Sequence, residues 1–161
     1  MNTPLSRTLS GIRCFACETA HDPGQLLTVC RACGMPLRVD YDLSRVRVKL
    51  ADLAGRPASL WRYREVLPLE EGDEISLVEG FTPLLAVEPN VWVKDESRNP
   101  TGSFKARGMA VAISMARHLG ARALSAPSAG NAAGALAAYG ARAGLPVTVA
   151  MPEDTPAPFF S

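Results

Sequence analysis

Apolar and polar residues follow two different periods along the second half of the chain. Short apolar runs over 91–96, 121–128 and 145–152 are typical of strands, whereas apolar residues recur at helical spacing over 104–119 and 131–143. A glycine follows each helical segment, as expected at a helix end. This alternation of strands and helices with short connections predicts a parallel sheet with right-handed crossovers.

The two predicted turns from strand to helix are the first candidates for a binding site. In a parallel sheet such turns lie at the carboxyl ends of the strands, where ligands bind. We therefore expect the turns over 99–105 (NPTGSFK) and 127–134 (PSAGNAAG) to meet at one edge of the sheet. The last run, 145–152, is almost continuously apolar, which predicts a strand buried on both faces.

The first half of the chain has weaker periodicity. Residues 1–48 are predicted to form a small module of short strands, because branched residues favour strand over 37–48. Residues 49–79 are a connector, and residues 80–161 are a partial α/β domain. A short helix in the connector is expected to carry three side chains towards a core: Trp61, Tyr63 and Leu67. The predicted fold class is α/β, preceded by a small β module.

Charge and length argue against several classes of protein. The 161 residues have a formal net charge of +1, unlike dedicated nucleic-acid or membrane-surface binders. A basic surplus over 31–49 leaves nucleic-acid binding as an alternative for the first module, although a single-strand binder would carry more aromatic residues. No apolar run is long enough to span a bilayer and no signal peptide is visible, so we expect a cytoplasmic protein.

Four cysteines form two C-x-x-C pairs, Cys14 with Cys17 and Cys30 with Cys33, and twelve residues separate the pairs. Two such turns can complete a tetrahedron around zinc, and four protein ligands leave no position for a substrate. The spacing therefore predicts a structural zinc site in a zinc-ribbon-like module. Two disulfides are the alternative, which a cytosolic compartment disfavours. His21, between the pairs, is expected to be a surface residue.

Lys105 is the first candidate for chemistry. It lies just inside the predicted start of a helix, and its neighbours Phe104 and Ala106 are apolar. A lysine in an apolar setting loses its charge readily, and the neutral amine can attack a carbonyl carbon to form a Schiff base. An ordinary solvated lysine in the first turn of a helix is the alternative.

The second turn can bind an anion. It offers Ser128, backbone N–H groups around Ala129 and Gly130, and the amide of Asn131 at a helix start, where the dipole also favours negative charge. Simple capping of an alanine-rich helix is the alternative. A Schiff-base lysine and a carboxylate site at one edge are what pyridoxal-phosphate chemistry on an amino acid requires.

Several stretches of the chain resemble the amino-terminal part of threonine synthases, which are fold-type II pyridoxal-phosphate enzymes. They are the cysteine pairs, LWRYREVLP, SLVEGFTPLL, VWVKDESRNPTGSFKARG and PSAGNAAGALAAYGARAGLPVTVAMPEDTP. The NPTGSFK and SAGN motifs are highly specific for the superfamily and less so for one reaction. The resemblance implies that Lys105 binds the cofactor as a Schiff base and that Asn131 hydrogen-bonds its ring hydroxyl. It also implies that the loop over Ser128, Ala129, Gly130 and Asn131 holds the substrate carboxylate.

The sequence departs from that family in three places. Threonine synthases often have an aspartate where this chain has Ala106 and a second serine where it has Ala129, so the site resembles the dehydratase branch slightly more. The family binds the cofactor phosphate in a glycine-rich loop beyond the lysine, and this chain has no two adjacent glycines. We therefore expect a fragment or a truncated gene product.

The resemblance implies, for the complete enzyme, a lyase that converts O-phospho-L-homoserine and water to L-threonine and phosphate. A serine or threonine dehydratase, or another fold-type II lyase, is one alternative. A zinc-ribbon interaction module attached to a decayed catalytic fragment is another. The expected cofactors are pyridoxal phosphate and structural zinc. The expected partners are a small amino-acid substrate and either a second copy or a complementing chain, with no nucleic acid or membrane.

Overall fold

A computed structural model describes residues 5–157 of the chain. Its first part is a three-stranded antiparallel sheet in the order β2-β1-β3, in which β1 is Leu9–Cys14, β2 is Ala20–His21 and β3 is Leu37–Tyr41. The predicted strand over 37–48 ends at Tyr41. It ends there because the side chain of Asp42 accepts the N–H of Ser44 and begins a 3-10 turn.

The connector contains 3-10 turns over Leu60–Val66 rather than a regular α-helix. Trp61 is buried and Leu67 packs partly against the core, as predicted. Tyr63 is 43% exposed, so its prediction as a core residue is wrong. A 3-10 helix places positions three apart on one face, and Tyr63 is off the face that Trp61 and Leu67 share.

Two helices and two parallel strands follow NPTGSFK, residues 99–105, which we call the lysine motif. Helix α1 is Lys105–His118, strand β6 is Leu124–Pro127, helix α2 is Asn131–Ala143 and strand β7 is Val147–Ala150. Strands β6 and β7 pair in parallel, and α1 packs against α2. Both helices end at the predicted glycines, which have φ of 83° and 70°. Among the described residues, no helix is both long and apolar enough to cross a membrane.

The strand before the lysine motif lies in a different sheet from the one we predicted. Strand β5, Val91–Lys94, pairs antiparallel with β4, Leu84–Glu88, in a two-stranded hairpin. A tight turn with Asn90 at φ 61° joins them, and such a short connection permits only antiparallel pairing. The parallel sheet in residues 5–157 therefore has two strands, β6 and β7, and not three.

Strand β7 is not buried on both faces. Val147 and Val149 are half-buried and pack against the core, whereas Thr148 and Ala150 are exposed. Helix α2 contacts one face of the two parallel strands, and nothing in residues 5–157 covers the other. Every residue of the β4–β5 hairpin is also exposed.

The main core joins the connector to the two helices. Its buried members are Trp61, Leu69, Ile75, Ala106, Ala110, Ile113, Leu136 and Tyr139. Gly140 lets α2 approach β7 closely, because a Cβ at that position would lie 2.2 Å from Cγ2 of Val147. Helix α2 thus packs against both β7 and α1.

Candidate functional site

Lys105 is the first residue of α1, and Phe104 precedes it as the N-cap. The N–H of Lys105 donates to Oγ of Ser103 over 3.3 Å. The lysine side chain is exposed, and its Nζ lies 4.7 Å from the centre of the Phe104 ring, which is itself 57% exposed. The apolar neighbour is therefore present, but the described residues do not bury the amine.

Asn99 holds the loop before Lys105; it is a buried residue to which the sequence pattern assigned no role in the site. Oδ1 of Asn99 accepts the N–H of Gly80 over 2.9 Å, and its carbonyl accepts the N–H of Gly102 over 2.8 Å. Gly102 has φ of 69°, a conformation that glycine adopts without strain. Hydrogen bonds to Asn99 therefore fix the turn that leads to Lys105.

A second set of hydrogen bonds joins residues on the two sides of the lysine motif. Arg107 donates to both carboxylate oxygens of Glu96, over 2.6 and 2.7 Å, and Thr82 donates to Glu96 over 2.5 Å. Arg107, and then Thr82 and Asn99, lower the pKa of Glu96 to about 2. Sequence reasoning missed this pair, although a glutamate and an arginine on either side of the motif were a signal for it.

The loop over Ser128–Asn131 has the geometry of an anion site. Gly130 is the N-cap of α2, and its own N–H donates to Oγ of Ser128 over 3.3 Å. The N–H groups of Ala129 and Asn131 have no acceptor among residues 5–157. Unpaired N–H groups at the start of a thirteen-residue helix attract negative charge.

An open groove of about 480 Å³ lies at the carboxyl ends of β6 and β7. It is lined by Pro127, Ser128, Ala129, Ala150, Met151 and Pro152. The second loop therefore lies at the predicted edge of the parallel sheet. Lys105 does not line this groove, because its loop follows the β4–β5 hairpin instead of a strand of the parallel sheet.

The four cysteines come together at one end of the first sheet. Their Sγ atoms all lie within 4.8 Å of one another, with 3.4 Å between Cys14 and Cys33 and 3.7 Å between Cys17 and Cys30. All four are free thiols, and these separations are far longer than a disulfide bond of about 2.05 Å. Backbone N–H groups of the turns point at the sulfurs of Cys14 and Cys30, as negatively charged ligands require.

The thiols in this cluster differ in acidity. Hydrogen bonds from Thr19 lower the pKa of Cys17 to about 6. At Cys33 the backbone N–H of Met35 lowers the pKa, but contacts with neighbouring sulfurs outweigh it and raise the pKa to about 12. His21 is half-buried, and its Nε2 lies 3.3 Å from Sγ of Cys30, a contact that sequence reasoning did not foresee.

Comparison with known proteins gives matches over the part of the chain that contains both candidate loops. A family model described as "Pyridoxal-phosphate dependent enzyme" matches residues 75–159, about half of the chain. A protein named threonine synthase in Methanosarcina acetivorans is 36% identical over 149 residues, which cover 88% of this chain. The threonine synthase of Methanocaldococcus jannaschii is 38% identical over 152 residues, also covering 88%, and that of Halalkalibacterium halodurans is 45% identical over 108 residues, covering 59%.

These matches confirm the resemblance to threonine synthases. They also cover only part of each relative: 36% of the Methanosarcina protein, 37% of the Methanocaldococcus protein and 30% of the Halalkalibacterium protein. The chain therefore spans about a third of the length of these curated relatives.

Proposed function

Because this chain belongs to the family of pyridoxal-phosphate-dependent enzymes, we propose that it carries the cofactor lysine and the carboxylate loop of a threonine synthase. The substrate would be O-phospho-L-homoserine, and the products L-threonine and phosphate. The observation that supports this most is the exposed amine of Lys105 on a turn that Asn99 fixes. The names of the relatives support the choice of reaction.

The described residues suit an aldehyde, which would react with Lys105, and a negatively charged oxygen, which would lie at the start of α2. No carboxylate of residues 5–157 pairs with Nζ of Lys105, so the amine can react with an aldehyde. The unpaired N–H groups of Ala129 and Asn131 suit a carboxylate or a phenolic oxygen. When bound, pyridoxal phosphate supplies an electron sink for charge that develops on the substrate carbons.

The proposed roles of this chain's own groups follow from that fit. Nζ of Lys105 would hold the cofactor and would move protons at the α and β carbons of the substrate. The side-chain amide of Asn131 orients the cofactor through its ring hydroxyl. Ser128 and the N–H groups that follow it hold the substrate carboxylate at the start of α2.

The chain has three lysines, which makes the proposal directly testable: Lys49, Lys94 and Lys105. The protein is incubated with pyridoxal phosphate, treated with borohydride to fix the cofactor to the amine that holds it, and mapped by peptide mass. We expect most of the label on Lys105, and we expect Lys105→Ala to remove it. Lys94→Ala is the matched control and should leave the label in place, whereas equal labelling of all three lysines would contradict the proposal.

The reaction within the family is tested separately, by measuring release of phosphate from O-phospho-L-homoserine. A chain that labels at Lys105 and deaminates serine or threonine without releasing phosphate would be a dehydratase, as Ala106 and Ala129 allow. A chain with no selective label would favour the zinc-ribbon interaction module.

We further propose that Cys14, Cys17, Cys30 and Cys33 hold a structural zinc ion. Zinc–sulfur bonds of about 2.3 Å in a tetrahedron place the sulfurs about 3.8 Å apart. The observed separations of 3.4 and 3.7 Å lie close to that value. All four positions are then filled by protein, so the ion stabilises the module and takes no part in the reaction.

We propose two kinds of partner besides the amino-acid substrate. A polypeptide with the part of the family fold that this chain does not span, or a second copy of the chain, would cover the exposed face of β6 and β7. Parallel sheets are normally covered on both faces, and this face is exposed at Thr148 and Ala150. A cytoplasmic location and the domain limits 1–48, 49–79 and 80–161 remain predictions.

A further inference from the structure

A buried carboxylate lies behind the lysine loop and plays no part in the proposed reaction. Glu79 is fully buried, and its carboxylate accepts the hydroxyl of Tyr139 over 2.7 Å and the N–H of Leu77 over 3.0 Å. Ser76 donates to it as well, over 3.2 Å. An unpaired buried carboxylate is costly, and these donors offset that cost only in this one arrangement.

Gly80, the residue after Glu79, contacts the loop before Lys105. The N–H of Gly80 donates to Oδ1 of Asn99, while the carbonyl of Glu79 accepts the N–H of Leu60 over 2.7 Å. Gly80 has no room for a side chain, because a Cβ there would lie 2.8 Å from the backbone N of Leu60. The segment over Glu79 and Gly80 is therefore a fixed support for Asn99.

The side-chain amide of Asn99 accepts from Gly80 through its oxygen and donates to Glu96 through its nitrogen. Nδ2 donates to the backbone carbonyl and to Oε2 of Glu96, each over 2.9 Å, and Glu96 in turn binds Arg107, two residues beyond Lys105. A hydrogen-bonded path thus runs from Tyr139 in α2, through Glu79 and Gly80, to Asn99. Burial, and then the bond to Glu79, raise the pKa of Tyr139, so its hydroxyl stays a donor at neutral pH.

We propose that Asn99 is a positioning residue, which sets Lys105 relative to the helix that begins at Asn131 through this buried bridge. The proposal rests on the function proposed above. In this arrangement two loops that follow strands of different sheets share one buried support. Asn99 is suited to the role because one amide group offers both the acceptor that Gly80 needs and the donors that Glu96 needs.

Asn99→Asp tests the positioning role of Asn99, since it keeps the shape of the side chain and the acceptor for Gly80, and replaces the two donor hydrogens with an acceptor that faces Glu96. We expect the rate of cofactor attachment at Lys105, measured by borohydride fixation, to fall about tenfold or more. The rates at Lys49 and Lys94 should stay the same. Tyr139→Phe, which removes only the far end of the path, should give a smaller fall of about threefold.

Asn90→Asp is the matched control, because it makes the same chemical change on the exposed hairpin turn. Thermal unfolding of each variant shows whether the fold is intact, and Asn99→Ser replaces Asn99→Asp if that variant does not fold. Wild-type attachment at Lys105 in a folded Asn99→Asp protein would overturn the proposal.

Amide hydrogen exchange separates this proposal from the function on which it rests. The N–H groups of Gly80 and Gly102 are hydrogen-bonded to Asn99 and report on the bridge. If the wild-type chain labels all three lysines equally, the proposed function is contradicted. The bridge is then tested by amide hydrogen exchange alone. Faster exchange at these amides in Asn99→Asp, but not in Asn90→Asp, would then support the bridge, and unchanged exchange would overturn it.

Discussion

The Glu96 carboxylate shows how much of the candidate site depends on single contacts. It receives four hydrogen bonds from side chains: two from Arg107 and one each from Thr82 and Asn99. Each donor favours the charged carboxylate over the neutral acid. The charged form of one residue therefore stabilises both flanks of the lysine motif.

This arrangement predicts a dependence of stability on pH. The pKa of Glu96 falls from 4.5 to about 2 on folding, so its contribution is complete above about pH 5 and is lost as the pH falls towards 2. We expect Glu96→Gln to lower the free energy of unfolding by about 2–3 kcal/mol at pH 7 and by about 1 kcal/mol at pH 3. Urea unfolding at both pH values measures this difference.

Glu88→Gln is the control for that experiment, because Glu88 is an exposed hairpin residue. It should leave the unfolding free energy almost unchanged at either pH. A Glu96→Gln deficit that is equal at pH 7 and pH 3 would mean that the loss comes from packing and not from the charge.

At the scale of elements, the contact between α2 and β7 depends on the absence of a side chain at Gly140. An added Cβ would meet Val147 at 2.2 Å, too close for an ordinary contact. Gly140→Ala gains about 1 kcal/mol of helix propensity but costs about 1–3 kcal/mol in overpacking. We therefore expect a net loss of stability, measured by thermal unfolding.

Gly134→Ala provides the comparison, since it lies in the same helix and a Cβ there meets nothing within 4 Å. It should be neutral or slightly stabilising. If both substitutions stabilised the chain, Val147 would have to move aside freely, and the close packing of α2 on β7 would not be a constraint.

The sequence predicted the helices and strands after residue 91 well, because their periodicity is local. The predicted helix over 104–119 is observed over Lys105–His118, and the predicted helix over 131–143 has the observed limits. Strand pairing was predicted less well. The partner of β5 is the preceding segment, Leu84–Glu88, whose exposed apolar residues gave no clear period to indicate it.

In the candidate site, too, contacts set by a local sequence pattern were predicted and contacts between distant residues were not. The four cysteines were predicted to meet, and their spacing was enough to predict it. The contact of Tyr139 with Glu79 spans 60 residues and that of Asn99 with Gly80 spans 19, so no local pattern could reveal them. The exposure of Lys105 agrees with the alternative of a solvated lysine, because apolar neighbours in sequence need not cover a side chain in space.

At the scale of the whole molecule, the first sheet and the helical core are stabilised by different means. Among residues 5–48 the buried side chains are Ser6, Thr8, Cys14 and Cys30. Two small polar residues and two thiols cannot form a hydrophobic core. We therefore expect the module to depend on the zinc ion proposed above, whereas α1 and α2 pack around a conventional apolar cluster.

This contrast predicts the effect of a chelator. Removing zinc should increase hydrogen exchange about tenfold or more in the amides of β1 and β3, and leave the amides of α1 and α2 protected. Cys14→Ser and Cys30→Ser should produce the same pattern in the presence of zinc, and metal analysis should show that the ion is gone. Protected β1 amides after full removal of metal would show that the sheet is stable without it.

The β4–β5 hairpin has a consequence for how the isolated protein behaves in solution. Its two outer edges carry free backbone groups, and apolar side chains such as Leu84, Val87 and Trp92 are exposed along it. Edges of this kind pair with other molecules as the protein concentration rises. Pairing at the free edge of β5, which ends at Lys94, would lie only two residues before Glu96. Self-association at this edge would therefore affect the lysine motif, and dilution should change the rate at which added pyridoxal phosphate labels Lys105.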